Sequence, residues 1–262
     1  MTVFAKDAFK GKHALVTGAT GGIGSETART LVSMGANVTI TGRNNQKLEQ
    51  LLGELSENER SLVFAYPADI TIEEERKQLV KEAENTNGPI SLLVNNAGIM
   101  GGGLLENLEQ EEMERVMDLN YTSTVLLTKL IYPSMKKNRE GSIVNVASLS
   151  GLRGTYGGTA YCASKFALIG FTQSLSLEAL EHNIRVNAVC PGYVDTEMGR
   201  SAARNKAERE GIQVSEVIKS SIPSGRMTTS KEVANTIVFL LTDAAENIVG
   251  ESVKISGGAV LR

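Results

Sequence analysis

The chain has 262 residues, 41% apolar and 22% charged, with a net charge of −3 spread along its length; it can bury one large core, and it lacks the bulk positive potential of a nucleic-acid surface. Its two cysteines, Cys162 and Cys190, and two histidines, His13 and His182, have no metal-ligand spacing, so no metal is expected and a reduced, cytoplasmic protein is the simplest reading. The opening MTVFAKDAFKGK has no apolar signal core, and no apolar run approaches the roughly 18–20 residues that a membrane span needs.

Short apolar runs alternate with helical patterns. His13–Thr17 reads as the first strand, followed by a glycine turn and a helix to about Met34, in which Gly24, Ala28, Leu31 and Gly35 share one small-to-apolar face. Further strands are predicted at Ala36–Thr41, Ser61–Tyr66, Ile90–Asn95, Ser142–Ala147 and Ile184–Cys190. Helices are predicted at Asn45–Leu55, Ile72–Asn85, Leu108–Lys137, Thr159–His182 and Lys231–Leu241. This rhythm demands a parallel sheet with helices on both faces. The expected fold class is α/β: one Rossmann-type, doubly wound sheet of seven strands, with ligands at the strands' carboxyl ends. No repeat or linker divides the chain, so residues 1–262 read as a single domain. The polar stretch Tyr193–Arg226 breaks the rhythm. It is either a flap over the substrate or an ordinary solvated helical excursion.

The turn Thr17-Gly18-Ala19-Thr20-Gly21-Gly22-Ile23-Gly24 follows a strand and opens a helix. Gly18, Gly22 and Gly24 lack the Cβ atoms that would keep backbone from a pyrophosphate, and the helix start offers unpaired N–H groups. Cofactor choice should be written at the end of the second strand. There the chain has Thr41-Gly42-Arg43-Asn44, with no carboxylate to hold ribose hydroxyls. Arg43 can make a charge-assisted contact to a 2′-phosphate, so NADP(H) is favoured over NAD(H). A surface arginine in a loop is the plainer alternative.

Tyr161 and Lys165 stand four residues apart, with Ser148 thirteen positions before the tyrosine. A phenol beside an ammonium group can move a proton to or from an alcohol oxygen. Matching a free phenol to neutral pH requires about 4 kcal/mol of charge stabilisation, part of which a lysine one turn away can supply. Cys162, next to the tyrosine but without a histidine base, reads as a small buried side chain.

Taken together, TGATGGIG, Asn95-Asn96-Ala97-Gly98, Asn120, Ser148, Tyr161-Cys162-Ala163-Ser164-Lys165 and Pro191-Gly192 resemble, in order and spacing, the short-chain dehydrogenase/reductases. The resemblance runs from about Lys10 to Gly258. It implies that Tyr161 is the general acid or base, that Lys165 lowers its pKa and holds the nicotinamide ribose, and that Ser148 polarises the substrate oxygen. It also implies that Asn120 supports a water chain to the lysine. Cofactor contacts are implied at Gly18, Thr20, Gly22, Ile23, Gly24, Arg43, Asp69, Ile70, Asn96, Ala97, Gly98, Pro191, Gly192, Val194 and Thr196. Plainer uses remain open: Asn120 can pin a helix kink, Asp69 can start a turn, and the amides of the NNAG segment can be structural.

These implications favour an oxidoreductase moving hydride between NADP(H) and a small ketone or secondary alcohol. A second reading is a β-ketoacyl-carrier-protein reductase of fatty-acid synthesis. Lys136, Lys137 and Arg139 could meet an acidic carrier, but Leu177–His182 is acidic where those reductases tend to be basic. A third is a nucleotide-binding regulator that has lost the chemistry. The resemblance also implies a homotetramer packed through the helices at Leu108–Lys137 and Thr159–His182. On the latter, Ala163, Ala167, Gly170 and Ser174 form a small-residue stripe, able to pack on the sheet or on a partner.

Overall fold

In the computed structural model, which describes residues 5–260, the elements run β1 (His13–Thr17), α1 (Gly22–Ser33), β2 (Asn37–Gly42), α2 (Asn45–Gly53), α3 (Glu57–Arg60), β3 (Val63–Pro67), α4 (Glu73–Asn87) and β4 (Leu92–Asn95). They continue as α5 (Gln110–Met117), α6 (Ser123–Asn138), β5 (Gly141–Val146), α7 (Thr159–Leu180), β6 (Ile184–Pro191), α8 (Glu197–Glu210), α9 (Val214–Ser221), α10 (Ser230–Leu241) and β7 (Ser252–Ile255). Residues 1–4 and 261–262 lie outside the described residues, so the first four positions of the N-terminal segment and both ends of the expected 1–262 unit are not addressed.

All seven strands are parallel, in the order β3-β2-β1-β4-β5-β6-β7. The expected doubly wound α/β sheet is therefore present. Period-2 alternation sorts its side chains. Ala14, Val16, Val94 and Val144 pack under Leu31 of α1 and Ile237 of α10. Leu15, Leu93 and Ile143 pack under Leu79 of α4, Leu127 of α6 and Leu175 of α7. Each such fully buried side chain contributes about 1.5–3 kcal/mol, and helices on both faces leave no solvated side. Strand order reverses between β1 and β4. The crevice at that switch point is where this topology binds ligands.

Three differences from the sequence expectation have physical causes. First, the helix read as Leu108–Lys137 is two helices, α5 and α6, joined by a π-helical turn at Asp118–Thr122. That turn carries Asn120, whose side chain is committed to distant backbone. Second, α1 ends at Ser33, and Gly35 belongs to the following turn with φ +84° rather than to the helix face. Third, the seventh strand is the four-residue β7, whose half-buried SVKI pattern is too short to stand out. The short α3, with its Ser56–Glu59 capping box, also went unread.

The Tyr193–Arg226 stretch is helical, made of α8 and α9. Gly211 joins them at φ +65°, and Ala203, Ala207 and Val217 are buried between them. Its two ends are tied together: Asp195 N donates to Thr228 O (2.8 Å) and Thr228 N to Tyr193 O (2.9 Å). The excursion therefore leaves and rejoins the sheet at one pinned base. The α7 stripe faces outward: Ala163, Gly170 and Ser174 are exposed, and a Cβ on Gly170 would meet nothing within 4 Å.

Candidate active site

At the switch point the glycine turn lies against the end of β4. Gly18 has φ +62°, and a Cβ there would stand 2.9 Å from both Ala97 Cα and Asn96 Nδ2. A Cβ on Gly24 would strike the Gly18 carbonyl and Asn96 Nδ2, so this glycine seats α1 on the strand end. Asn96 Nδ2 donates to Thr17 O and Gly18 O, both at 3.0 Å, and Thr17 Oγ1 accepts from the Asn96 and Ala97 amides, also at 3.0 Å. A Cβ on Gly22 would lie 2.8 Å from Thr196 Cγ2 and 2.9 Å from Ser230 Oγ. The first turns of α1, α8 and α10 thus converge on Gly22. The partial positive end of α1 suits a pyrophosphate, since its first turn carries no acidic residue, whereas α8 and α10 open with Glu197 and Glu232. Ile23 packs on the core beneath this turn.

Further out, Thr20 covers the end of β2, with its Oγ1 3.2 Å from where a Cβ on Gly42 would be. Arg43 is 66% exposed, and its Nη1 lies 3.9 Å from Asp69 Oδ2. Asp69 also accepts from Thr71 N (3.0 Å) and Thr71 Oγ1 (2.7 Å), so it starts a turn and faces the arginine at once. Ile70 is buried in the core, and its carbonyl accepts from Arg76 Nη1. Val194 is likewise buried. These two can offer a ligand only backbone. Pro191 ends β6, and a Cβ on Gly192 would lie 3.1 Å from Leu149 Cδ1. Thr196 caps α8, its Oγ1 accepting from Gly199 N at 3.2 Å.

Ser148, Tyr161 and Lys165 gather beyond the carboxyl end of β5. Ser148 caps the 3-10 turn Leu149–Gly151, accepting from Ser150 N (3.1 Å), and its side chain stands near enough to the Tyr161 phenol to lower that group's pKa. Lys165 is 4% exposed; its Nζ donates to Val146 O (2.9 Å) and sits 5.8 Å from the centre of the Tyr161 ring. An ammonium has three protons to donate, and among the described residues Val146 O is the one acceptor found for them. Burial lowers the Lys165 pKa to about 8. Burial also raises the Tyr161 pKa above the ordinary phenol value, more than Ser148 lowers it. The expectation that the lysine depresses the phenol is therefore not met by the protein's own groups. Desolvation is the largest influence on both groups.

Asn120 is fully buried. Its Oδ1 accepts from Ile99 N (2.8 Å), and its Nδ2 donates to Ile99 O (2.9 Å) and Ser164 Oγ (3.0 Å). Ser164 Oγ donates in turn to Tyr161 O (2.8 Å). Gly98 opens the space between: a Cβ there would lie 3.1 Å from Asn120 Oδ1 and 3.5 Å from Lys165 Nζ.

Several contributors were invisible in sequence. A buried ladder, Thr128–Asn95–Asn145–Thr172, crosses from α6 over β4 and β5 to α7 with bonds of 2.8–3.1 Å. It fixes the two helices that carry Asn120's neighbours and the Tyr161–Lys165 pair. A polar residue in the middle of an apolar strand, as at Asn145, was the available signal. Cys190 lies near enough for its charge to couple to Lys165, but burial pushes its thiol pKa up to about 11, so it stays a protonated core residue. Cys162 is buried beside Thr155 Oγ1 at 3.1 Å. His13 sits at the opposite edge of the sheet, at the start of β1.

Known proteins resemble this chain over nearly its whole length. Nodulation protein G of Rhizobium sp. (strain N33) is 36% identical over 251 residues, covering 96% of this chain and 98% of that protein. The 3-oxoacyl-acyl-carrier-protein reductase FabG of Escherichia coli (strain K12) is 35% identical over 250 residues, covering 95% and 98%. Among solved structures, an actinorhodin polyketide ketoreductase crystallised with NADPH superposes with a TM-score of 0.89 at 32% identity, covering 98% of this chain and 99% of that one. An NAD+-bound xylitol dehydrogenase gives 0.88 at 30%, covering 95% and 99%. The sequence profile of the short chain dehydrogenases matches residues 12–207, and with the crevice, the glycine turn and the Ser148–Tyr161–Lys165 group in place, the chain belongs to that oxidoreductase family.

Proposed function

We propose that this enzyme reduces a small free ketone with NADPH, or oxidises the corresponding secondary alcohol. The observation that carries the reading is the Ser148–Tyr161–Lys165 group beside the crevice, with its lysine buried and its serine and tyrosine partly open. Bound nicotinamide supplies the hydride and, once oxidised, a positive charge that favours the tyrosinate. Tyr161, kept protonated at neutral pH, gives its proton to the carbonyl oxygen as hydride reaches the carbon. Ser148 hydrogen-bonds the same oxygen and holds it in line. Lys165 would offer its remaining N–H groups to a bound cofactor's ribose, and Asn120 holds the Ile99 backbone and Ser164 around it. Tyr161→Phe should lower NADPH-dependent ketone reduction by about 10²- to 10⁴-fold while NADPH still binds, as read by its fluorescence. Unchanged turnover would remove the acid/base role.

The absence of a carboxylate at the end of β2, with Arg43 there instead, supports NADP(H). The Asp69 carboxylate at 3.9 Å tempers that preference. Arg43→Leu should reduce the NADPH-over-NADH ratio of kcat/KM by about 10- to 150-fold. An unchanged ratio would leave NAD(H) an equal candidate.

A carrier-protein substrate is the second reading, in line with the FabG relatives. It is weakened by the side chains it would need: Lys136 lies over the Tyr132 ring and Arg139 donates to Glu181 O. Glu178 and Glu181 stand close enough to raise the Tyr132 pKa further, behind the larger effect of burial. The outward small-residue stripe of α7, with Leu177, Leu180 and Phe166 exposed on the same helix, supports self-association through this face.

A further inference from the structure

Two anchored arms meet over the outer rim of the substrate end. Tyr156, 67% exposed, lies on the loop between the 3-10 turn Leu149–Gly151 and α7, five residues before Tyr161. That loop is held from below: Thr155 Oγ1 contacts Cys162 Sγ, and a Cβ on Gly102 would meet Gly157 O at 2.9 Å, so the glycine segment after β4 packs against it. Arg209 occupies the last turn of α8, which hangs from the pinned Tyr193–Thr228 base. Its guanidinium carbon stands 4.8 Å from the centre of the Tyr156 ring, within cation–π range, while Nη2 donates to Glu210 Oε1 at 3.2 Å. The charges of Arg209 and Arg153 also reach the Tyr193 hydroxyl at the foot of the same excursion.

We propose that Arg209 and Tyr156 form a clasp across the substrate mouth, admitting carbonyl compounds small enough to lie wholly beneath it and hindering those whose acyl chain must trail out to a carrier. The inference deepens the reading of Tyr161 as the acid of a ketone reductase and rests on it. A tethered substrate must open the clasp before it reacts; a small one need not. An exposed contact of this kind biases an open–closed equilibrium by about two- to five-fold.

The test uses two substrates with the same reacting group, methyl acetoacetate and the acetoacetyl thioester of pantetheine, with NADPH oxidation as readout. Tyr156→Ala and Arg209→Gln should each raise the thioester-to-ester ratio of kcat/KM by about two- to five-fold. The double variant should gain no more than the better single one, because both break one contact. Tyr156→Phe, which keeps the ring face, should hold the wild-type ratio. A ratio unmoved by both single variants, with both compounds turned over, would overturn the clasp and leave the reductase intact. So would additive gains in the double variant, or a wild-type enzyme that already prefers the thioester. If no compound in a broad carbonyl panel is reduced, the underlying reading falls and the clasp with it.

Discussion

Lys165, reaching the carboxyl edge of the sheet, and Arg185, at the amino edge, are two cations drawn into the protein and treated in opposite ways. Arg185 is half-buried at the start of β6 and makes four hydrogen bonds: Nη1 donates to Leu240 O (2.6 Å) and Ala245 O (3.2 Å), and Nη2 to Leu241 O (3.2 Å) and Thr242 O (3.0 Å). It closes the carbonyl end of α10, where a positive charge also meets the helix dipole. Lys165 is more deeply buried and has Val146 O as its one acceptor among the described residues. His13, at the start of β1, follows the amino-edge pattern. Its Nδ1 donates to Gly88 O (2.7 Å) and its Nε2 accepts from Thr39 Oγ1 (2.8 Å). Arg185 and His13 have partners and serve stability. Lys165 is left short, and that deficit is what a ligand can fill.

Replacing Lys165 presses hardest on this contrast. Its pKa falls from 10.5 to about 8 on folding, a cost at neutral pH of about 3 kcal/mol. The folded-state value lies below the unfolded one, so the penalty is whole below about pH 8 and fades as pH rises towards 10.5. Lys165→Met should therefore lower ketone reduction by at least about 10²-fold yet raise the urea unfolding free energy at pH 7 by up to about 3 kcal/mol. A less stable variant would mean that the ammonium is well satisfied, and the contrast would break.

Arg185→Ala should do the reverse. The loss of charged bonds to four carbonyls should destabilise the fold by about 2–4 kcal/mol while turnover per folded molecule is kept. A variant as stable as wild type would show that water caps α10 equally well.

The smallest effect is at His13. Burial lowers its pKa below 6.5, more than the Gly88 bond raises it. The unfolded chain then binds the extra proton first as pH falls. The histidine's contribution is complete above pH 6.5 and declines below it. Unfolding free energy measured from pH 7.5 downwards should drop more steeply for wild type than for His13→Gln; equal slopes would remove His13 from the acid response.

Much of this was legible in the chain. The first strand was read to its last residue, because the apolar Ala14-Leu15-Val16 stands directly before Thr17 and a glycine turn. The β-α-β alternation led directly to the parallel sheet. Ser148, Tyr161 and Lys165 were read from spacing, and the structure brings them together. The misses share a cause. Asn120 was placed inside a continuous helix because local periodicity cannot register one extra residue in a π turn. The phenol was expected to be acidified by its lysine because the pairing could be seen and the burial could not.

By itself the sequence determined the fold class and the family, since these depend on residue types at short, regular separations. The tertiary structure alone decided how much water each charge loses, which glycines touch across the switch point, and that Tyr156 meets Arg209. Those are relations between atoms 50 or more positions apart in the chain, set by packing and desolvation rather than by any local pattern.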